Sequence, residues 1–267
     1  MNNIEIARQT IKITAERYYI LDGEVVKFPD VDYRKAELYP PEMGAQLLER
    51  EPSGLIASER CRFSVTNEDS FQAARRYDRP YVMNFANAHC PGGGFKLGAN
   101  AQEESLCRCS TLYASITSQA AAPMYRYNNS HVSSVESDHM IFSPDVLVFR
   151  DINGALLSDP FLVSVVTVPA PNRHGAALFA GAKVLAETMR RRIRILLRIA
   201  EQKRFRNLVL GAWGCGAFGN RPEEVAGHFK TVLVDEEFGR YFDEVCFAIY
   251  GKEDGANIRE FRKVFEC

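Results

Sequence analysis

Two adjacent acids, Glu103 and Glu104, closely follow a run of three glycines in the first half of the chain. Neighbouring carboxylates suit general acid chemistry on a glycosidic bond, because like charges hold one proton between them. Bare glycine backbone lets a ligand approach main-chain N–H groups closely, which suits phosphate. Together, the two features indicate a hydrolase for a sugar that carries phosphate.

A second glycine-rich segment, residues 211–220, follows an apolar run that predicts a buried strand. Pro222 then opens a predicted helix, at a position that helices accept. Ligands of open α/β sheets bind outside the carboxyl ends of the strands, so the two loops could hold a diphosphate from both sides. Neither loop has the Gly-Lys-Ser/Thr ending of a nucleoside-triphosphate loop or the Gly-x-Gly-x-x-Gly pattern of a dinucleotide site, and both of those sites are excluded.

Apolar residues alternate between helical and strand periods along the chain. The predicted helices cover residues 4–15, 68–77, 101–117, 177–203, 222–233 and 257–265. A hairpin is predicted at 18–26, and strands at 61–66, 81–87, 146–149, 162–168, 207–213 and 244–250. Residues 29–58 predict irregular chain, and residues 118–137 predict a long surface loop of the kind that often forms a binding lid. The alternation favours an α/β sandwich with a mixed or mostly parallel sheet.

Composition limits the class of protein. The chain has 267 residues, 46% of them apolar, and a formal net charge of −1, so we expect one large core and no footprint for duplex nucleic acid. Seven cysteines without regular spacing, and no secretory pattern at the start, fit a reducing, cytoplasmic setting. No apolar run approaches the roughly 18 residues of a membrane span. We expect a monomer that needs no metal and no cofactor.

The first glycine loop resembles the signature of a known family. Asn-Ala-x-x-Pro-Gly-Gly-Gly at 87–94, followed after seven residues by Gln-Glu-Glu, is similar to poly(ADP-ribose) glycohydrolases of the macrodomain superfamily, in particular the short bacterial and fungal type. The resemblance continues at residues 7–10, 168–172, 210–220 and 247–250. It implies a three-layer α/β/α macrodomain-like sandwich with a mixed central sheet. The composition shift near residue 58 adds an N-terminal accessory segment, 1–58, packed on a macrodomain-like catalytic domain, 59–267.

The resemblance implies hydrolysis of the ribose–ribose O-glycosidic bond of poly(ADP-ribose), releasing ADP-ribose. Glu104 would protonate the leaving oxygen, and Glu103 would hydrogen-bond the ribose hydroxyls. Asn87 would bind the distal ribose, and Phe218 would press on it. The other implied binding residues are Gly92, Gly93, Gly94 and Gln102 around the first loop, and Gly214, Cys215, Gly216, Ala217 and Gly219 in the second. Asn67 or Glu68 would bind the adenine amine, with an aromatic residue from 124–127 over the ring.

Several of these features have a simpler structural explanation. Asn100 and Glu103 have the spacing of a helix capping box, Phe218 could be core, and Cys215 could be a small buried residue or a nucleophile. The basic run at 190–206 predicts mostly a solvated helix face, or a track for a polyanion. Two other functions stay open: a hydrolase of single ADP-ribose groups on protein or nucleic acid, and a non-catalytic reader of ADP-ribose. The intact Gln-Glu-Glu argues against the reader.

Overall fold

The computed structural model of the chain describes residues 1–52 and 61–266. Within them are nine strands: β1 (Tyr18–Leu21), β2 (Glu24–Lys27), β3 (Glu37–Tyr39), β4 (Arg62–Thr66), β5 (Tyr81–Ala86), β6 (Met140–Arg150), β7 (Leu156–Pro169), β8 (Asn207–Leu210) and β9 (Glu244–Ala248). The same residues form nine α-helices: α1 (Asn3–Glu16), α2 (Pro41–Glu49), α3 (Ser70–Ala74), α4 (Gln102–Cys109), α5 (Leu112–Ile116), α6 (Ala122–Ser130), α7 (Ala182–Gln202), α8 (Pro222–Lys230) and α9 (Ala256–Phe265).

Seven of the strands form one mixed sheet, in the order β3-β6-β7-β5-β8-β9-β4. The five strands from β7 to β4 run parallel, whereas β6 and β3 pair antiparallel with their neighbours. Side chains of α7, α8 and α9 pack on one face, and side chains of α3, α4 and α5 on the other. The predicted three-layer α/β/α sandwich with a mixed central sheet is confirmed.

The position of the glycine loops follows from the parallel centre of this sheet. β5 and β8 are adjacent, parallel and buried, and each is followed by one of the two loops. Carboxyl ends of parallel strands lie at the same edge, so both loops emerge side by side. The side chains of β5 alternate between the faces, with Tyr81 and Met83 in one cluster and Val82 in the other.

The predicted opening helix and hairpin are both present. The hairpin turns at Asp22 and Gly23, whose φ angles of +51° and +85° match the two left-handed positions of a tight hairpin turn. α1 is joined to α4 because the Thr10 hydroxyl donates to the Arg108 carbonyl at 2.7 Å. Residues 29–58, predicted as irregular, contain β3, which pairs with β6, and α2, which packs against α7. The predicted boundary at residue 58 lies outside the described residues, and the division of the chain there stays a prediction.

Two predictions of local structure are wrong, one of a single helix and one of a surface loop. The single helix predicted over 101–117 is two helices, α4 and α5, because Ser110 adopts extended backbone and bridges Val148 of β6. The surface loop predicted over 118–137 contains α6. Its Met124 and Tyr125 are buried against Ile141, and the polar composition of the segment hides this narrow apolar face. Across the described part of the chain, none of the helices combines the length and apolarity needed to cross a membrane.

The prediction that the basic run of α7 forms a solvated face is wrong for Arg192 and Arg198, which are buried. The Arg192 guanidinium donates to Asp138 Oδ1 at 2.8 Å and to the Pro169 carbonyl at 3.0 Å. Neighbouring cations are also paired, Arg191 with Asp138, Arg194 with Glu236 and Lys203 with Glu37. Since these charges are neutralised within the chain, they disfavour the polyanion track.

Candidate active site

The first glycine loop lies directly against the start of α4. Gly92 and Gly93 have φ angles of +74° and +53°, in the left-handed region that favours glycine. A Cβ atom on Gly93 would lie 2.4 Å from Glu104 Oε1, and one on Gly92 would lie 2.9 Å from the Tyr113 ring. Only glycine therefore allows the loop backbone to reach the acid pair.

Glu103 is buried and held at both carboxyl oxygens. Oε2 accepts a hydrogen bond from the Asn87 backbone N–H at 2.8 Å, and Oε1 accepts from the Gly92 N–H and from Asn84 Nδ2, both at 3.3 Å. Burial raises the pKa of Glu103 to about 8, the negative charge of Glu104 adds to this shift, and the three N–H donors oppose it. Glu103 therefore retains a proton in much of the population near neutral pH.

The capping-box explanation for Glu103 is wrong. α4 begins after Ala101, whose position carries no side-chain cap. Asn100, the predicted capping residue, instead accepts a hydrogen bond from the Arg108 guanidinium at 2.5 Å. Glu103 is thus held by the glycine loop and β5 and does not act as a helix cap.

Glu104 has a less crowded carboxyl group than Glu103. Its Oε1 accepts a hydrogen bond from the Gly94 backbone N–H at 2.9 Å. Within the described residues, Oε2 accepts no protein hydrogen bond, and the side chain lines the cavity between the two loops. Glu104 therefore has one oxygen that a substrate can reach.

Asn87 and Gln102 fix the backbone around the acids. Asn87 Oδ1 accepts from the N–H groups of His89 and Cys90 at 2.8 and 2.9 Å, which shapes the start of the glycine loop. Gln102 Oε1 accepts from the Phe85 N–H at 2.9 Å, and its Nε2 donates to the Met83 carbonyl at 2.8 Å. Gln102 thus ties the start of α4 to the end of β5.

The second glycine loop is anchored at its ends and open in its middle. Asn220 Nδ2 donates to the Pro171 carbonyl at 2.9 Å, and a Cβ on Gly214, which has a φ of +73°, would lie 2.4 Å from that nitrogen. A Cβ on Gly219 would lie 2.4 Å from His174 Nε2. Gly216, by contrast, is exposed, with nothing within 4 Å of its Cβ position. The middle of this loop can therefore receive a ligand.

A cavity of about 680 Å³ lies between the two loops. Of the predicted site residues, it is lined by Glu68, Asn87, Gln102, Glu103, Glu104, Gly214, Gly216, Ala217 and Phe218. It is also lined by residues that sequence reasoning missed, among them Asp69, Phe71, Phe85, Ala212, Tyr250 and Asn257. A larger cavity, of about 1170 Å³, lies between α1 and α5 and is lined by none of the predicted site residues. The acid pair and the second glycine loop thus line the smaller cavity, which the first loop reaches only at Asn87.

The remaining predicted residues lie around this cavity without lining it. The Asn67 side-chain amide donates to the Gly251 carbonyl and accepts from the Gly251 N–H. Gly92, Gly93 and Gly94 contact the acid pair from behind, and Gly219 faces His174. Burial raises the pKa of the Cys215 thiol to about 12, which disfavours Cys215 as a nucleophile because only a thiolate attacks readily.

The aromatic residues of 124–127 do not line the cavity. Tyr125 is buried in a separate cluster with Met124 and Ile141, and Tyr127 stacks on His131 with ring centroids 4.0 Å apart. The cavity instead has Phe85 and Tyr250 at the ends of β5 and β9. One missed residue, Asn84, had a signal in the sequence, since it is a polar residue inside the apolar run of β5.

Known proteins share this fold and are similar to this chain in sequence. The family model described as microbial-type PARG, catalytic domain, matches residues 7–151. The crystal structure of poly(ADP-ribose) glycohydrolase (PARG) from Thermomonospora curvata is 38% identical, with a TM-score of 0.88 over 98% of this chain and 99% of that chain. The PARG from Deinococcus radiodurans in complex with ADP-ribose is also 38% identical, with a TM-score of 0.80 over 90% of this chain and 98% of that chain.

A third structure is the Thermomonospora curvata enzyme bound to the inhibitor ADP-HPD, with 38% identity and a TM-score of 0.87 over 98% of each chain. A search of curated proteins gave no match. The fold and the loop-bound acid pair define a macrodomain-like glycoside hydrolase. The chain belongs to the microbial-type PARG family, whose members act on poly(ADP-ribose), and the family expected from the sequence is confirmed.

Proposed function

We propose that this chain removes ADP-ribose units from poly(ADP-ribose), with Glu104 as the general acid, the first glycine loop holding the acids in place and the second glycine loop holding the substrate. The observation that carries the proposal is that the two adjacent buried acids line one cavity together with the second glycine loop, while N–H groups of the first glycine loop hold both acids in place. The complexes of the relatives with ADP-ribose and with ADP-HPD support ADP-ribose as a ligand of this chain.

The division of roles between the acids follows from their hydrogen bonds. Glu103 accepts three N–H donors, two on Oε1 and one on Oε2, so it is fixed in place. Glu104 accepts one, on Oε1, and keeps an oxygen for the substrate. A buried carboxyl pair holds one proton near neutral pH, and we assign its delivery to Glu104. Glu103 then orients the ribose hydroxyls.

The reaction needs one proton donor and one activated water. Glu104 donates its proton to the oxygen that links the two riboses, and the bond from that oxygen to the anomeric carbon breaks. The positive charge that develops on the ring lies beside the carboxylates, which stabilise it. The resulting Glu104 carboxylate takes a proton from the incoming water, which bonds to the anomeric carbon. Free ADP-ribose and a polymer shortened by one unit leave the site.

The second loop is proposed to hold the diphosphate. Gly216 and Ala217 are exposed and line the cavity, and neither backbone N–H donates to another backbone group of the described residues, so both are left for an anion. Phe218 lines the same cavity and would contact the distal ribose. Asn87 uses its side-chain oxygen within the chain, and its Nδ2 group would donate to that ribose.

The adenine end of the site is proposed at the edge where β4 and β9 end. Glu68 and Tyr250 line the cavity there. Asn67 supports Gly251 next to Tyr250, so we propose that Asn67 acts on adenine through that backbone and Glu68 through direct contact.

The test is chromatography of the products released from polymer of defined length, beside protein that carries single ADP-ribose groups. Wild type should release ADP-ribose from the polymer, and Glu104→Gln should release none while still binding ADP-ribose. Glu187→Gln, an exposed acid of α7, serves as a matched charge control and should behave as wild type. Binding without turnover by wild type would favour the reader, and release only from singly modified protein would favour the alternative hydrolase.

A further inference from the structure

Asn84 is a polar residue in the buried centre of the sheet. It lies in β5 and is fully inaccessible to solvent, and its strand neighbours Met83 and Phe85 are apolar. Its side chain lies on the same face as Val82, below the start of α4, and is paired in register with Thr167 of β7. Thr167 is also fully buried, so two polar side chains lie next to each other inside an apolar layer.

Only one end of the Asn84 amide is hydrogen-bonded. Nδ2 donates to Glu103 Oε1 at 3.3 Å and to Thr167 Oγ1 at 3.2 Å. Oδ1 is buried and has no partner within the described part of the chain. Leaving a buried acceptor unpaired is costly, and a native structure that does so calls for a specific explanation.

The shape of the amide offers that explanation. The oxygen and nitrogen of an asparagine side chain are nearly the same size, and a half turn about the Cβ–Cγ bond exchanges them. In the present orientation, both amide hydrogens are used, one by an ionised Glu103 and one by Thr167. After a half turn, Oδ1 would accept from a protonated Glu103 and from the Thr167 hydroxyl, which can donate as well as accept.

We propose that Asn84 is a positioning residue of the glycohydrolase reaction, whose amide turns over to hold Glu103 both when this carboxyl is ionised and when it is protonated. The inference rests on the proposed function and adds to it that the one proton of the acid pair moves between Glu103 and Glu104 during turnover. It explains why an asparagine suits this position, because an apolar residue could serve neither state of Glu103.

The other ionisable groups facing Glu103 do not hold its carboxyl in both the ionised and the protonated state. Glu104 and Cys107 face it from α4, and Tyr125 faces it from α6. Burial raises the pKa of Cys107 and of Tyr125 well above their ordinary values, so both stay neutral. A negative charge on Glu104 favours a proton on Glu103. Asn84, together with Thr167, is therefore the neutral partner that can exchange donor for acceptor when Glu103 gains a proton.

The first experiment follows the Asn84 side-chain NH₂ signals of ¹⁵N-labelled wild type by NMR from pH 5 to pH 9. The signals should move with the same midpoint as the Glu103 carboxyl carbon, and they should lose their pH dependence in Glu103→Gln. Signals that do not respond to pH in wild type would overturn the inference. This measurement needs no catalysis, so it remains informative if wild type fails to cleave polymer, a result that would instead overturn the proposed function.

The second experiment compares Asn84→Leu with Thr167→Val, which keeps the shape of threonine without its hydroxyl. Loss of a hydrogen bond to a charged group predicts a fall in kcat of about tenfold or more for Asn84→Leu. KM should stay within about twofold, since the substrate contacts are untouched. Thr167→Val should lower kcat less and uncouple the NMR midpoints of Asn84 and Glu103. Val82→Ala, a packing change on the same face of β5, is the control and should keep the wild-type kcat.

If Asn84→Leu folds and retains wild-type kcat, the inference is wrong. If Asn84→Leu does not fold, Thr167→Val and the wild-type NMR titration still decide the question. Coupled midpoints that persist in Thr167→Val would contradict the role of Thr167 in the turn of the amide.

Discussion

The two glycine loops are both rich in glycine but differ in what their glycines contact. In the first loop, Gly93 is pressed against the carboxyl groups of α4, and the backbone N–H groups bind those carboxyls. In the second loop, Gly214 and Gly219 are pressed against the side chains of Asn220 and His174, and the middle of the loop is open. The N–H groups of Gly92 and Gly94 in the first loop bind the protein's own acids. In the second loop, the N–H groups of Gly216 and Ala217 donate to no backbone group of the described residues and can bind a ligand.

This difference indicates that the loops contribute to different steps. A loop that fixes catalytic carboxyls should act on kcat, because misplaced acids bind substrate but do not transfer the proton well. A loop that holds the diphosphate should act mainly on KM, since it binds substrate and transition state alike. The predictions below test this contrast, starting with the largest expected effect.

Removing the carboxyl of Glu104 should have the largest effect. General acid catalysis contributes about 10²–10⁴-fold, so Glu104→Ala should lose at least that factor in kcat while retaining ADP-ribose binding. Release of ADP-ribose from labelled polymer measures kcat, and calorimetry measures the binding of ADP-ribose. Equal turnover by the variant and wild type would remove Glu104 from the mechanism.

Adding one methyl group to each loop compares them directly. Gly93→Ala places a Cβ 2.4 Å from Glu104 Oε1 at a φ of +53°, so we expect a loss of about 10² in kcat as the acid is displaced. Gly216→Ala adds a methyl group to open space, so stability and kcat should hold and KM should rise. A thermal melt shows whether each variant folds. A larger loss of kcat in Gly216→Ala than in Gly93→Ala would reverse the assignment of the loops.

The pH dependence follows from Glu103. Its pKa is raised from the ordinary 4.5 to about 8, mainly by burial, so kcat/KM should fall as pH rises past about 8 and the pair loses its shared proton. The folded chain also binds more protons than the unfolded chain between these two values. The contribution of Glu103 to the free energy of unfolding is therefore fully present below pH 4.5 and is lost as pH rises through about 8. The loss amounts to a few kcal/mol.

Glu103→Gln checks the stability part of this prediction. Denaturant melts between pH 5 and pH 9 should show a shallower decline in the variant than in wild type, since glutamine does not titrate. Parallel declines would mean that the buried carboxyl of Glu103 does not account for the effect.

Loosening the second loop should have the smallest effect. Asn220→Ala removes the hydrogen bond to the Pro171 carbonyl, so the loop should hold the diphosphate less rigidly. A lost neutral hydrogen bond corresponds to about a fivefold rise in KM or in the Kd for ADP-ribose, with kcat nearly unchanged. A fall in kcat without a change in Kd would place this loop in the chemical step.

The sequence predicted the acid pair and both loops because each carries its own local signal. Three consecutive glycines, a Gln-Glu-Glu and strand-like flanks are enough to place the acids and the loops at one edge of a sheet. α6 was missed because only a narrow face, with Met124 and Tyr125, is buried, and polar residues dominate the rest. The break at Ser110 was missed because it depends on pairing with Val148, a contact distant in sequence.

Burial and partner choice explain the other differences. Nothing in the local pattern distinguishes a solvated arginine from Arg192, which is buried because Asp138 and the Pro169 carbonyl are placed beside it by other elements. In the same way, the spacing of Asn100 and Glu103 fits a capping box, but the glycine loop takes Glu103 instead. Local sequence fixes which residues can react, and tertiary contacts decide what each of them touches.

The most direct test of the central claim is a crystal structure of wild type with ADP-ribose bound. We expect the diphosphate to lie against residues 214–219, with the anomeric carbon of the distal ribose beside the Glu104 carboxyl and its hydroxyls on Glu103. ADP-ribose bound outside this cavity, or bound within it with its adenine next to Glu104, would contradict the account.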